Sequence, residues 1–179
     1  MKNILFLLAI TVMISSCTAT KDTTASTTTT RSEKKIAAQT ALKQAVESRR
    51  YIVKVNKLFT PHGFPADLVP KFNFIIVDGE IASVSLAYMG GSYGGRGITG
   101  INFNGHTVKY EMVNDQAKGK YNISMKVAKG ADTFDIYITI QQSGYCTVSI
   151  NNILIQSASY RGQVVPVTAA SNKPAENKE

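Results

Sequence analysis

Acid–base or nucleophilic chemistry needs an imidazole, a thiol or paired carboxylates held within reach of one another, and this chain of 179 residues is sparing with all three. Its two histidines, His62 and His106, each adjoin a glycine in a predicted turn, where a solvated imidazole is expected. Of its two cysteines, Cys17 lies near the amino terminus and Cys146 at an apolar position of a predicted strand, where a thiol serves as a small buried hydrophobe. Two histidines and one remaining thiol give no zinc-ligand spacing, so no metal and no cofactor is expected. The acid pairs Asp132/Asp135 and Asp78/Glu80 flank predicted hairpin turns, where charge favours solubility. A glycosidase dyad would have to be assembled from distant strands, which makes a hydrolase the least favoured reading.

The most conspicuous local feature runs from Met89 to Gly100, with six glycines in the eleven positions from Gly90. Gly95-Arg96-Gly97-Ile98-Thr99-Gly100 fits G-x-G-x-x-G, but dinucleotide binding needs a helix after the glycines, and Ile101 to Phe103 is β-rich. The segment reads first as a flexible crossing between strands. Second, it is a candidate ligand loop of Tyr88, Gly90, Gly91, Tyr93, Gly94, Gly95, Arg96 and Gly97, in which Tyr93 and Arg96 offer stacking and anion contacts. Tyr137 and Tyr145 fall on the polar faces of their strands. Exposed rings there stack on sugars or partners, although tyrosine at a half-buried edge is the plainer reading.

What positions these residues begins with a targeting segment. Residues 1–17 join a positive start at Lys2, an apolar run from Ile4 to Ile14 and the small Ser15 and Ser16 before Cys17, a stretch too short to cross a bilayer as a helix. Ile14-Ser15-Ser16-Cys17 resembles the lipobox of bacterial lipoproteins, which implies a diacylglyceryl group on Cys17 and labelling there by palmitate. Each buried CH₂ contributes ~0.8 kcal/mol, so several acyl chains would anchor the chain firmly to a membrane. Cys146 then has no partner, and no disulfide is expected.

Eight of the thirteen residues from Thr18 to Thr30 are threonine, so residues 18–31 read as a disordered tether. From Ser32 to Arg49, Ile36, Ala38, Ala41, Leu42, Ala45 and Val46 recur at helical spacing. They predict an amphipathic helix, capped by Ser32 and ended by Arg49-Arg50, that packs on the domain. Residues 166–179 have no periodicity and read as a disordered tail.

Between Tyr51 and about Val165 the period becomes two, and turn signals recur at Asp78-Gly79, Asn104-Gly105, Lys118-Gly119, Lys129-Gly130 and Ser143-Gly144. The fold class is therefore mainly β: an antiparallel up-and-down meander of eight to nine strands, near 51–57, 71–77, 80–88, 98–103, 107–113, 120–128, 133–141, 145–152 and 156–164. Such a meander forms a closed or partly open barrel, or a curled sheet covered by the helix. Helix and meander together make one domain, 32–165.

Register follows where the alternation is cleanest. A two-residue loop at Gly130-Ala131, with glycine first as a type II′ turn requires, pairs Val127 with Phe134, Met125 with Ile136, Ile123 with Ile138 and Tyr121 with Ile140. It also sets Lys126 opposite Asp135 on the other face. A three-residue loop, Gln142-Ser143-Gly144, matches Ile140 to Cys146, Ile138 to Val148 and Ile136 to Ile150, placing Cys146 inside. Tyr121, Met125, Phe134 and Ile138 are the candidate lining of an interior cavity.

The net charge is +8, and residues 18–50 hold seven basic and three acidic side chains, a local +4 beside the predicted anchor. That placement suits anionic headgroups. Basic residues interleaved with stacking aromatics on one surface are not evident, so no nucleic-acid partner is expected.

Glu47-Ser48-Arg49-Arg50-Tyr51, Leu86-Ala87-Tyr88-Met89-Gly90, Gly119-Lys120-Tyr121-Asn122-Ile123 and Ser159-Tyr160-Arg161-Gly162, after a lipobox and a polar lead, resemble the family called domain of unknown function 4251, lipoproteins of Bacteroidetes. The match covers most of residues 33–165, and Ala87 stands where the family usually has proline. The resemblance implies a mostly β, lipocalin-like domain on the envelope and transfers no activity, cofactor or catalytic residue. Thr18 is not the aspartate that retains some lipoproteins at the inner membrane, so the expected location is the outer membrane. The leading expectation is a non-enzymatic module that binds a small molecule, glycan or protein; the alternative is a structural or inhibitory interaction protein using an exposed sheet face.

Overall fold

Strands whose side chains alternate between apolar and polar must turn one face away from water, and here a single sheet does so by curling onto itself. The computed structural model describes residues 23–59, 65–89, 98–153 and 155–167. The signal segment with Cys17, the first part of the tether, His62, the glycine run 90–97 and the tail from 168 lie outside the described residues. The order is α1 (Thr23–Glu47), β1 (Arg50–Phe59), β2 (Pro65–Asp67), β3 (Phe74–Asp78), β4 (Ile81–Met89), β5 (Ile98–Asp115), β6 (Lys120–Lys129), β7 (Asp132–Gln141), β8 (Tyr145–Asn152) and β9 (Ile155–Pro166).

From β3 to β9 each strand pairs antiparallel with its neighbour in sequence, and β9 returns to β1 from Tyr51↔Pro166 to Phe59↔Ser159, closing an eight-stranded barrel. The extra strand β2 and β3 share the other edge of β1, β2 along Lys57–Phe59 and β3 along Arg50–Lys54. They act as one interrupted strand, and the interruption is held by the buried Asn73. Its amide donates to the Val69 carbonyl (3.0 Å), its Oδ1 accepts the Ala87 N–H (2.7 Å) and its own carbonyl accepts the Val55 N–H (2.9 Å). Buried polar groups need such partners, and the Asn73 side chain and carbonyl have them.

Both derived hairpin registers are present residue for residue, from Tyr121↔Ile140 to Val127↔Phe134 and from Ile140↔Cys146 to Ile136↔Ile150. Gly130 has φ 59° with no positive φ at Ala131, as a II′ turn requires, and Gly144 takes the left-handed position at φ 85°. Asn104-Gly105 departs from expectation: it is no turn but the middle of an 18-residue β5, so the strands expected at 98–103 and 107–113 are one. The first half of β5 pairs with β4 and the second with β6, and a bulge between Thr107 and Lys109 turns the strand between them. Gly105 is there for proximity, since a Cβ would stand 2.7 Å from the Val127 Cγ1. His106, expected in a turn, is therefore a strand residue, paired with Ile81 and Ala128.

The helix also differs from expectation. It begins at Thr23, upstream of Ser32, and among its residues of described burial, 30–47, Leu42, Ala45 and Val46 are the buried ones, against β1 and β9. Ile36, Ala38 and Ala41, read as part of a core-facing stripe, stay exposed. The chain leaves the helix through Arg49, whose φ of 54° reverses its direction and whose guanidinium lies 4.4 Å from the Tyr110 ring centroid.

Candidate functional site

The inner face is one continuous apolar cluster running from Leu42 to Val164. Tyr121, Met125, Phe134 and Ile138 are brought together in it, each at most 8% exposed, and Phe134 stacks on Phe103 with centroids 4.1 Å apart. Two tyrosine hydrogen bonds reach across the barrel. The Tyr160 hydroxyl donates to the Ala87 carbonyl (3.1 Å), and the Tyr51 and Tyr110 hydroxyls share a hydrogen bond (3.3 Å). An eight-stranded barrel is just wide enough for side chains to fill, and these fill it.

Burial pushes the Cys146 thiol from 9.0 up to about 12 and raises Tyr51 and Tyr160 as well, with Tyr110 adding to the rise at Tyr51. Above about pH 9 the unfolded chain releases these protons while the folded chain keeps them, so stability falls with rising pH until the folded groups titrate. The urea midpoint is therefore expected to drop between about pH 8 and about pH 10.5, and a thiol reagent at about pH 8 should label Cys146 only on unfolding. An unchanged midpoint, or rapid labelling of the native protein, would contradict this burial.

The outer face offers more. Register places Tyr137, Ser149, Ser159 and Phe59 in one row across β7, β8, β9 and β1, and Thr139, Thr147, Arg161 and Lys57 in the next. Three strand spacings put Tyr137 roughly 14 Å from Phe59. The small side chains between them form the floor of an open groove of about 330 Å³, with the two aromatic residues as walls. Tyr137 is 48% exposed. The Arg161 guanidinium lies over Phe59, 4.7 Å from the ring centroid. The Thr139 hydroxyl donates to Asn122 Oδ1 (3.1 Å) and Ser149 shares a hydrogen bond with Ser157 (3.3 Å). Among the described residues the Thr147 and Ser159 hydroxyls have no protein partner. Floor hydroxyls, a ring wall and a cation can together hold a polar ligand, but no acid–base pair stands among them.

A smaller groove of about 190 Å³ lies where α1 meets the barrel, between Ile36, Lys43, Tyr121 and Gln142. The acid pairs noted in the sequence take part in ion pairs, Asp135 with Lys126 (3.4 Å) and Asp78 with Arg50 (3.0 Å). Among the described residues no cluster of His, Cys, Asp and Glu is disposed to hold a metal. Of the candidate ligand loop, Tyr88 is half-buried against the core; Gly90, Gly91, Tyr93, Gly94, Gly95, Arg96 and Gly97 lie outside the described residues. Reading the sequence one strand at a time marks Tyr137 but misses its row, because the row exists only across four strands.

A filled, helix-bearing, closed antiparallel barrel with its groove on the outside defines the class of protein. The chain belongs to the family described as domain of unknown function DUF4251, whose sequence profile matches residues 33–164. A solved structure similar to it is that of a DUF4251 family protein from Bacteroides eggerthii DSM 20697, at 20% identity and a TM-score of 0.63, covering 73% of this chain and 88% of that one. That likeness shows the fold. No curated protein matches the sequence.

Proposed function

We propose that the chain is an envelope lipoprotein, held at the outer membrane through acylated Cys17, that binds a ligand on the outside of its barrel without catalysing a reaction. The observation that carries this reading is the contrast between the two faces. The interior is taken up by packed side chains, whereas the two outer rows set an exposed phenol, hydroxyls without a partner among the described residues and a guanidinium around an open groove. Recognition sites combine such convergent polar groups with an aromatic surface. The lipobox at Ile14 to Cys17 and the local charge of +4 beside it support the anchor.

The test is to recover the protein from its native envelope in mild detergent and identify what accompanies it by mass spectrometry. Wild type should carry a bound molecule that Thr147→Trp, which fills the groove with an indole, loses at unchanged thermal stability. Equal recovery with both proteins, or none with wild type, sinks the outer-groove reading. The anchor is judged separately: Cys17→Ala should abolish palmitate incorporation, and retained label would overturn it.

A further inference from the structure

From the charges around the groove we infer that its ligand is an acidic saccharide, with a sugar ring laid on Tyr137 and a carboxylate or sulfate held by Arg161. The inference rests on the outer-groove reading and adds to it the ligand's chemistry. Neither β8 nor β9 contains an aspartate or glutamate, and among the described residues no carboxylate lines the groove. Register sets Arg161 directly opposite Lys57, a pairing of like charges that ordinarily destabilises a sheet. Lys57 is relieved by Asp67 (2.6 Å), but among the described residues Arg161 has no acidic partner. Its guanidinium instead lies over the Phe59 ring, and a guanidinium is a flat fork of donors suited to an oxyanion. A uronate carboxylate or a sugar sulfate matches that fork in two parallel hydrogen bonds.

The rest of the groove selects for a sugar over an acidic peptide. Peptides that bind sheets add a strand to a free edge, and the strands that floor the groove, β8 and β9, are paired on both edges. The groove is open and floored by small polar side chains, not a deep apolar hole. The floor instead offers Thr147 and Ser159 hydroxyls, able both to donate to and accept from sugar hydroxyls, beside a ring for the apolar face of a pyranose.

The experiment titrates the full chain, in detergent micelles, by calorimetry with an oligogalacturonate, a heparin-derived oligosaccharide, a neutral galactan oligomer and polyglutamate. At least one acidic saccharide should bind roughly ten- to a hundred-fold more tightly than the neutral one, as expected for a charge-assisted contact, and more weakly as salt rises. Arg161→Gln should erase that preference, bringing the acidic saccharides down to the affinity for galactan. Tyr137→Ala should weaken acidic and neutral sugars alike. Both residues are exposed, and an unchanged melting temperature shows that each variant is folded. Equal affinity for neutral and acidic chains, or a preference that survives Arg161→Gln, overturns the inference. So does Arg161-dependent binding of polyglutamate without saccharide binding, which would make the ligand an acidic peptide. Failure of every saccharide to bind also overturns it. The recovery test with Thr147→Trp judges the groove independently of these results.

Discussion

Gly162→Ala is expected to cost about 3 kcal/mol of folding stability, at the upper end of what overpacking imposes, and to lower Tm by roughly 10 °C in a domain of this size. Gly162 faces Val55 at the seam where β9 meets β1. A Cβ there would run into the Lys54 carbonyl oxygen and stand 3.0 Å from the Val55 Cα, and neither is the movable end of a side chain. The cost is steric, because Gly162 is absent from the glycines with positive φ. Gly130→Ala is the informative control: its Cβ would meet nothing, but φ is 59°, so only the left-handed penalty of about 1–2 kcal/mol applies. Denaturant titration of the two variants decides the matter. A smaller loss at Gly162 than at Gly130 would mean that the seam is not closely packed.

Phe134→Ala carries the second large effect, an expected loss of about 3–4 kcal/mol from lost burial and the cavity left behind. The ring is 7% exposed and stacks on Phe103 at 4.1 Å. A double-mutant cycle with Phe103→Leu should return a coupling of about 1 kcal/mol. The result bears on function as well as stability. A loss below about 1 kcal/mol would describe a loosely filled barrel and would return the interior, with Tyr121, Met125 and Ile138, to consideration as a ligand cavity.

Local pairing was legible wherever turn chemistry and alternation agreed. Residues 120–152 could be registered from sequence because a shift of one residue would have turned Ile136, Ile138 and Ile140 to water. Asn104-Gly105 shows why the rest was not. An Asn-Gly pair between apolar runs signals a turn through glycine's permissive φ, but Gly105 is used for close approach to Val127, a contact 22 residues away in sequence. Asn73 was invisible for the same reason, since its partners Ala87 and Val55 lie on other strands, β4 and β1. The candidate site shares this dependence. Tyr137 was marked as an outward ring, whereas Arg161 became part of a groove only once closure brought Phe59 beneath it.

Closure also dictates an order of events. One edge of β1 is occupied by its near neighbours β2 and β3, but the other must wait for β9, with Phe59 meeting Ser159 across 100 residues of chain. Joining ends so distant costs about 4 kcal/mol in chain entropy beyond a fixed initiation term, so the seam is expected to form last and slowly. A chain delivered amino end first exposes that strand edge until its final strand arrives, and for that interval it is open to pairing with other chains. The groove walled by Phe59 and Tyr137 comes into being at the same moment, so every intact groove marks a chain that has finished folding.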